Sequence, residues 1–138
     1  MGRIMALDLG SRRIGVALSD PLGIIGQPFG MIERSDVSTE GAALRLIVAE
    51  QEVEEVVVGL PFTLAGAEGP AARAVREWLG AIEGELAIPI HTWDERLTTA
   101  AAQRVLVSGG VRRARRKRVV DQMAAALILQ SYLDARRR

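Results

Sequence analysis

Ile4-Met5-Ala6-Leu7-Asp8-Leu9 is an apolar run that contains one carboxylate and is closed by Gly10. A short apolar run that ends in glycine is typical of a strand buried on both faces of a sheet. A carboxylate in such a strand is costly unless it has a partner, and the neighbouring sequence has no lysine, histidine or cysteine to provide one. A divalent cation is the natural partner, because hard metal ions prefer oxygen ligands. The alternative is a buried carboxylate that accepts backbone N–H hydrogen bonds.

The rest of the chain predicts an α/β fold in which three strands come first and helices then alternate with strands. Short turns between the first three strands favour an antiparallel meander, whereas the later alternation favours parallel strands. The 138 residues are expected to form a single domain. The predicted elements are strands at 3–9, 14–19 and 29–34, a helix from Ser38 or Thr39 to about Val53, a strand at 56–60, a helix from Pro70 to about Leu79, a strand at 88–93, a helix from Thr98 or Thr99 to Val107, a basic linker, and a helix from about Val119 to Ala135.

Composition excludes several classes of site. The chain has no cysteine, which rules out disulfides, zinc-thiolate sites and thiol nucleophiles. No stretch is apolar and long enough to span a bilayer, and the N-terminus lacks the basic-then-apolar pattern of a signal peptide. The expected location is therefore the cytoplasm.

Charge is divided unevenly along the chain although the total is +1. Residues 35–95 carry a net charge of −9, and residues 96–138 carry +9. A basic last third predicts a face that meets a polyanion. The densest run consists of Arg112, Arg113, Arg115, Arg116, Lys117 and Arg118. It is either a solvated linker or a strip that follows nucleic-acid phosphates, and its position just before Asp121 favours the second interpretation.

Two further carboxylates stand in apolar settings, Glu95 after a predicted strand and Asp121 near the start of the last helix. Glu95 could instead pair with Arg96 at the surface, and Asp121 could complement the helix dipole. However, the ends of the strands that precede Asp8 and Glu95 can reach one sheet edge. Position 121 also shares the helical spacing of the apolar stripe formed by Ala124, Ala125, Ile128 and Tyr132.

Three carboxylates that meet without a basic partner would repel one another unless cations lie among them. An all-oxygen site of this kind suits Mg²⁺ or Mn²⁺ better than zinc. Such ions are widely used to hydrolyse phosphodiester bonds, since they stabilise the attacking and the leaving oxygen together. The residues thus predict a divalent-metal site formed by Asp8, Glu95 and Asp121, of a kind used in phosphodiester hydrolysis.

The sequence resembles the YqgF family, also called RuvX, over essentially its full length. Four segments carry the resemblance: Asp8-Leu9-Gly10-Ser11-Arg12-Arg13-Ile14-Gly15-Val16-Ala17-Leu18-Ser19-Asp20; Val58-Gly59-Leu60-Pro61 with Gly66 and Glu68-Gly69-Pro70; Trp93-Asp94-Glu95-Arg96-Leu97-Thr98-Thr99; and Arg116-Lys117-Arg118-Val119-Val120-Asp121-Gln122-Met123-Ala124-Ala125 with Ile128-Leu129-Gln130. The resemblance implies an RNase H-like fold, with a mixed five-stranded sheet flanked by helices, related to the RuvC resolvases.

The same resemblance implies that Asp8, Glu95 and Asp121 are the family's acidic metal-site residues. It implies a nuclease that either resolves Holliday junctions or trims the 5′ end of the precursor of 16S rRNA, and the sequence does not choose between them. Two places differ from the family. Ser11-Arg12 replaces a frequent Thr-Lys, and Phe62-Thr63 stands where many members have lysine and asparagine.

Arg12 and Arg13 are expected to hold the nucleic-acid backbone together with the basic run at 112–118. A symmetric junction as substrate would favour a homodimer. Two other functions remain open. One is a nucleic-acid or ribosome-associated binding module without catalysis. The other is a phosphate-binding turn of the actin and sugar-kinase type, although those proteins need two such domains around a nucleotide.

Overall fold

A computed structural model describes residues 2–63, 65–95 and 113–136, and for 113–122 it describes the backbone alone. The described residues form eight elements: β1 (Arg3–Leu9), β2 (Arg13–Ser19), β3 (Gly26–Glu33), α1 (Val37–Glu50), β4 (Val53–Leu60), α2 (Pro70–Leu86), β5 (Ile90–Asp94) and α3 (Arg113–Arg136). The strands form one sheet in the order β3-β2-β1-β4-β5.

Strand directions confirm the predicted mixed sheet. The pairs β1–β2 and β2–β3 are antiparallel, and the pairs β1–β4 and β4–β5 are parallel. Parallel neighbours end at the same edge of a sheet, so the carboxyl ends of β1, β4 and β5 lie together. Pro89 directly precedes β5, which is an edge strand. A position before the start of an edge strand suits proline, because proline cannot donate a ladder hydrogen bond.

Two apolar cores cover the two faces of the sheet. Met5 and Leu7 of β1 belong to the core that also contains Leu44 of α1 and Trp78 of α2. Ile4 and Ala6 belong to the other core, which α3 completes. Because side chains alternate along a strand, Asp8 lies on the same face as Ile4 and Ala6, beneath α3.

Helix α1 differs from the prediction at both ends. Asp36, and neither Ser38 nor Thr39, is its N-cap, since its side chain accepts a hydrogen bond from Thr39 N at 2.8 Å. The helix ends at Glu50 because the chain turns at Glu52, which has a φ of 53°, and Val53 already belongs to β4.

Helix α2 begins at Pro70 as predicted but continues to Leu86, seven residues beyond the predicted end. The buried residues Val75, Trp78, Ile82 and Leu86 keep the helical spacing through the whole length. Gly80 and Gly84 lie inside the helix, and a side chain at either position would meet nothing within 4 Å. Both glycines are therefore tolerated on the open side of the helix at a modest cost.

The last helix begins six residues earlier than predicted, so the expected basic linker was wrong for residues 113–118. Arginine and lysine are good helix formers, and neither glycine nor proline occurs between 113 and 136. Asp121 consequently stands in the third turn of α3, too far from the helix start to complement the dipole. The helix predicted over 98–107 and Arg112 lie outside the described residues. No helix in the described part of the chain is long and apolar enough to cross a membrane.

The cap of α1 gives a test of the fold. Asp36→Ala should lower the thermal unfolding midpoint by a few degrees, because Thr39 N loses its acceptor. Ser38→Ala is the matched control. Ser38 is exposed within the helix, and alanine has the higher helix propensity, so the midpoint should stay unchanged or rise. Circular dichroism melts of both variants measure the difference, and a larger loss in Ser38→Ala would contradict the assignment.

Candidate functional site

Asp8 and Glu95 approach one another at the carboxyl edge of the sheet. Asp8 is the penultimate residue of β1 and pairs with Gly15 of β2. Glu95 directly follows β5, and its backbone N donates to Leu60 O at 3.3 Å, which extends the β4–β5 pairing by one residue. Both side chains are partly buried.

Two glycines make room for these carboxylates beneath α3. A Cβ at Gly59 would overlap Glu95 Oε2 and would lie 2.5 Å from Ile128 Cδ1, so the carboxylate occupies space that only glycine leaves open. A Cβ at Gly15 would lie 3.6 Å from the Cβ atoms of Asp8 and Ala125, which is ordinary contact. Helix α3 therefore crosses the sheet directly over both acidic positions.

The electrostatics of this edge are unfavourable for a negative charge. Burial, followed by the charges of Asp8 and Asp94, raises the pKa of Glu95 to about 7. No positive charge among the described residues offsets this effect on Glu95. An all-oxygen donor set under mutual repulsion fits a divalent cation, which would favour the ionised form of both carboxylates.

The backbone of α3 leads Asp121 toward the same edge. Arg136, at the end of α3, pairs with Glu55 near the amino end of β4, whereas Ala125 lies over Gly15 beside Asp8. The helix thus runs from the carboxyl edge of the sheet to the amino edge. Position 121 is one turn before Ala125 on the same helix face, about 6 Å further along the axis. Its side chain is not among those described.

Among the side chains that the structure describes, no three histidine, cysteine, aspartate or glutamate residues gather as a metal-binding group. Of the three predicted carboxylates, Asp8 and Glu95 come close enough for one charge to raise the pKa of the other. The metal-binding and catalytic roles of Asp8, Glu95 and Asp121 stay predictions, as does the placement of the Asp121 side chain.

Arg12 and Arg13 are exposed on the turn that follows β1, a few residues beyond Asp8. The turn is closed by a hydrogen bond from Gly10 N to Arg13 O at 2.9 Å. Arg13 also lies 4.0 Å from Glu33 in an exposed ion pair, which contributes little stability and leaves the guanidinium accessible. Arg113, Arg115, Arg116, Lys117 and Arg118 belong to the first two turns of α3.

The family model described as RuvX: Holliday junction resolvase matches residues 2–135. The chain belongs to this family. A relative from Moorella thermoacetica is 50% identical over 132 residues, covering 96% of this chain and 94% of its own, and is named as a candidate pre-16S rRNA nuclease. A relative from Heliobacterium modesticaldum with the same name is 48% identical over 134 residues, covering 97% and 90%.

Solved structures agree with the RNase H-like fold expected for the RuvX family. T. thermophilus RuvC in complex with Holliday junction substrate superposes with a TM-score of 0.60 at 18% identity, covering 99% of this chain and 96% of that one. The fowlpox virus Holliday junction resolvase gives a TM-score of 0.51 at 10% identity, covering 96% and 99%. At identities this low, the superpositions show that the fold is shared.

Sequence reasoning missed Glu40, a charged residue that is 1% exposed in this RuvX family member. A glutamate in the first turn of a helix is usually a surface residue that complements the dipole. One signal was present, since Glu40 precedes the buried Leu44 by four residues and so shares its helix face.

The two glycines can be compared by substitution. Gly59→Ala should cost about 1–3 kcal/mol of unfolding free energy, because the new methyl group forces Glu95 and Ile128 apart from β4. Gly15→Ala should cost well under about 1 kcal/mol, since its Cβ meets neighbours at normal contact distance. Urea unfolding of both variants decides the matter, and equal losses would contradict the packing of Glu95 over Gly59.

The raised pKa of Glu95 predicts a pH-dependent effect of Glu95→Gln in EDTA. The Glu95 carboxyl has a pKa near 4.5 in the unfolded chain and about 7 in the folded protein. The stability that this difference contributes is fully present below pH 4.5 and is lost as the pH rises through about 7. The variant should therefore melt a few degrees above the wild type at pH 8 and show no gain at pH 4.

Glu77→Gln, on the exposed side of α2, is the control for this pH series and should change the melting temperature equally little at both pH values. A Glu95→Gln gain that is the same at pH 4 and pH 8 would show that charge repulsion is not its source.

Proposed function

We propose that this protein is a metal-dependent endonuclease that hydrolyses phosphodiester bonds in structured nucleic acid. Asp8, Glu95 and Asp121 hold Mg²⁺ or Mn²⁺ at the carboxyl edge of the sheet. The observation that carries the proposal is the approach of Asp8 and Glu95 at one partly buried edge, where burial and then the charge of Asp8 raise the pKa of Glu95, to about 7. Membership of the RuvX family supports it.

The carboxylates bind and orient, and bound ions would supply an activated water and charge stabilisation at the phosphate. Glu95 must lose its proton before it can act as a ligand, so protons and cations compete for this side chain. Because its pKa is near 7, this competition falls in the neutral range, and ion binding should weaken as the pH drops below 7.

The cationic residues hold the substrate. Arg12 and Arg13 project from the turn beside Asp8, and the first two turns of α3 bring five further cations near Asp121 along one rigid helix. Contacts of this kind track the phosphate backbone and position it without reading sequence. They suit either substrate that the relatives and neighbours suggest, a precursor of 16S rRNA or a Holliday junction.

Substrate and assembly are linked by symmetry. A four-way junction has two equivalent cleavage points, and a two-fold dimer would present one site to each. A ribosomal RNA precursor has a single end to trim and needs one copy. An rRNA precursor as substrate would also place the protein in the cytoplasm.

Cleavage of matched substrates tests the proposal. Wild type and Asp121→Asn are incubated with a pre-16S rRNA 5′ fragment and a four-way DNA junction, each with Mg²⁺, Mn²⁺ or EDTA. The cleavage rate of the variant should fall at least about 100-fold, because loss of a residue that merely supports a metal ligand can already cost that much activity. Asp134→Asn is the control on the same helix, since Asp134 accepts from Gln130 near the opposite edge of the sheet.

Two outcomes would overturn the nuclease assignment. One is binding of both nucleic acids with no cleavage in either metal, together with an Asp8→Asn variant that behaves as the wild type. That result would favour a binding module without catalysis. The other is cleavage that persists undiminished in EDTA, which would remove the role of the metal.

A further inference from the structure

A buried carboxylate lies on the sheet face opposite α3. Glu40 is 1% exposed, and both of its oxygens accept hydrogen bonds. Oε1 accepts from Trp78 Nε1 at 2.9 Å, and Oε2 accepts from Arg34 Nε at 2.8 Å and from Ser35 N at 3.0 Å. Burial raises the pKa of Glu40, but these donors outweigh burial and hold the pKa below its ordinary value. Glu40 is therefore an anion at neutral pH.

Arg34 connects this anion to the turn between β1 and β2. Its Nη1 donates to Gly10 O at 2.7 Å while Nε holds Glu40. Its backbone N donates to Arg12 O at 2.9 Å. With the Gly10 N to Arg13 O bond, three hydrogen bonds fix a turn of four residues, and two of the three come from Arg34.

A purely structural role does not account for this arrangement. A buried ion pair is often no more stabilising than apolar residues of the same volume, so Glu40 and Arg34 are a poor means of joining α1 to the sheet. Nor does pairing with Glu40 require the guanidinium to reach Gly10 O. What that contact does is hold the backbone that lies between Asp8 and the exposed Arg12 and Arg13.

We propose that Arg34, held in place by Glu40, is a positioning residue that fixes the 10–13 turn so that Arg12 and Arg13 meet the substrate phosphates beside Asp8. The inference rests on the proposed function and goes beyond it. An arginine on a preordered turn loses less conformational freedom on binding than one on a mobile loop, so the fixed turn binds phosphate more tightly.

Arg34→Lys is the informative change. Lysine keeps a positive charge for the buried Glu40, but a single ammonium group cannot reproduce the planar fork that spans Glu40 and Gly10 O. Arg45→Lys is the matched control, because Arg45 pairs with Glu85 between α1 and α2 and makes no contact with the turn. Glu40→Gln provides a second route to the same loosening and replaces Arg34→Lys if that variant fails to fold.

The experiment is a double-mutant cycle on binding to the four-way junction and to the RNA fragment in EDTA. Arg34→Lys should weaken binding about five- to tenfold. The slope of log K against log salt concentration should become shallower by about one to two, which corresponds to the loss of one or two phosphate contacts. In an Arg12→Gln/Arg13→Gln background Arg34→Lys should add nothing. Arg45→Lys should leave both quantities unchanged. Hydrogen exchange at the Gly10 amide should accelerate in Arg34→Lys and stay unchanged in Arg45→Lys.

Each contrary result has a distinct meaning. Equal weakening by Arg34→Lys in the presence and absence of Arg12 and Arg13, or an unchanged salt slope, would overturn the positioning role while leaving the proposed function intact. Unchanged exchange at Gly10 would overturn it as well. If the wild type binds neither nucleic acid, the proposed function fails and the inference fails with it.

Discussion

Repulsion between Asp8 and Glu95 is the constraint on which the site depends, and the topology of the sheet imposes it. The parallel neighbours β1, β4 and β5 end at one edge, which puts a residue near the end of β1 close to one just after β5. Gly59 leaves the space that the Glu95 carboxylate occupies, and burial there removes the water that would screen it. The folded protein therefore keeps an electrostatic cost that the proposed cation would relieve, so ion binding and stability of the fold would be coupled through the same two side chains.

Helix α3 links that edge to the core as one rigid element. Its second half is anchored by Ile128, Leu129 and Leu133, all buried against the sheet, and its first half carries the cationic residues. Because the helix is continuous from Arg113, the backbone of the cationic residues is held at fixed spacings of 1.5 Å per residue from position 121. A linker in their place would have to be ordered at the cost of conformational entropy each time it bound a polyanion. The helical arrangement removes that cost in advance.

The sequence predicted correctly those features whose signal lies within a few neighbouring residues. The Asp8 strand, the parallel second half of the sheet and the Pro70 helix start all carry short-range patterns, and all were right. The first six residues of α3 are basic and have no apolar periodicity, so their helical state was missed. The end of α2 was predicted too early, although Ile82 and Leu86 continue the buried spacing of Val75 and Trp78. The close fit of Glu95 over Gly59, and the burial of Glu40, depend on elements far apart in the chain and needed the three-dimensional structure.

The network around Glu40 links one core of the sheet to the turn between β1 and β2. Trp78 of α2 and Ser35 before α1 donate hydrogen bonds to the Glu40 carboxylate in one core. Arg34 pairs with the same carboxylate and also donates to Gly10 O, in the turn between β1 and β2, two strands with residues in both cores. The chain could have placed apolar residues at 34 and 40 with little loss of stability, but no apolar side chain can donate to Gly10 O. The ion pair specifies one conformation of the turn, and that conformation sets where the first cations after Asp8 stand. A buried charge that adds little to stability can thus still determine the geometry in which a phosphate backbone meets the acidic site.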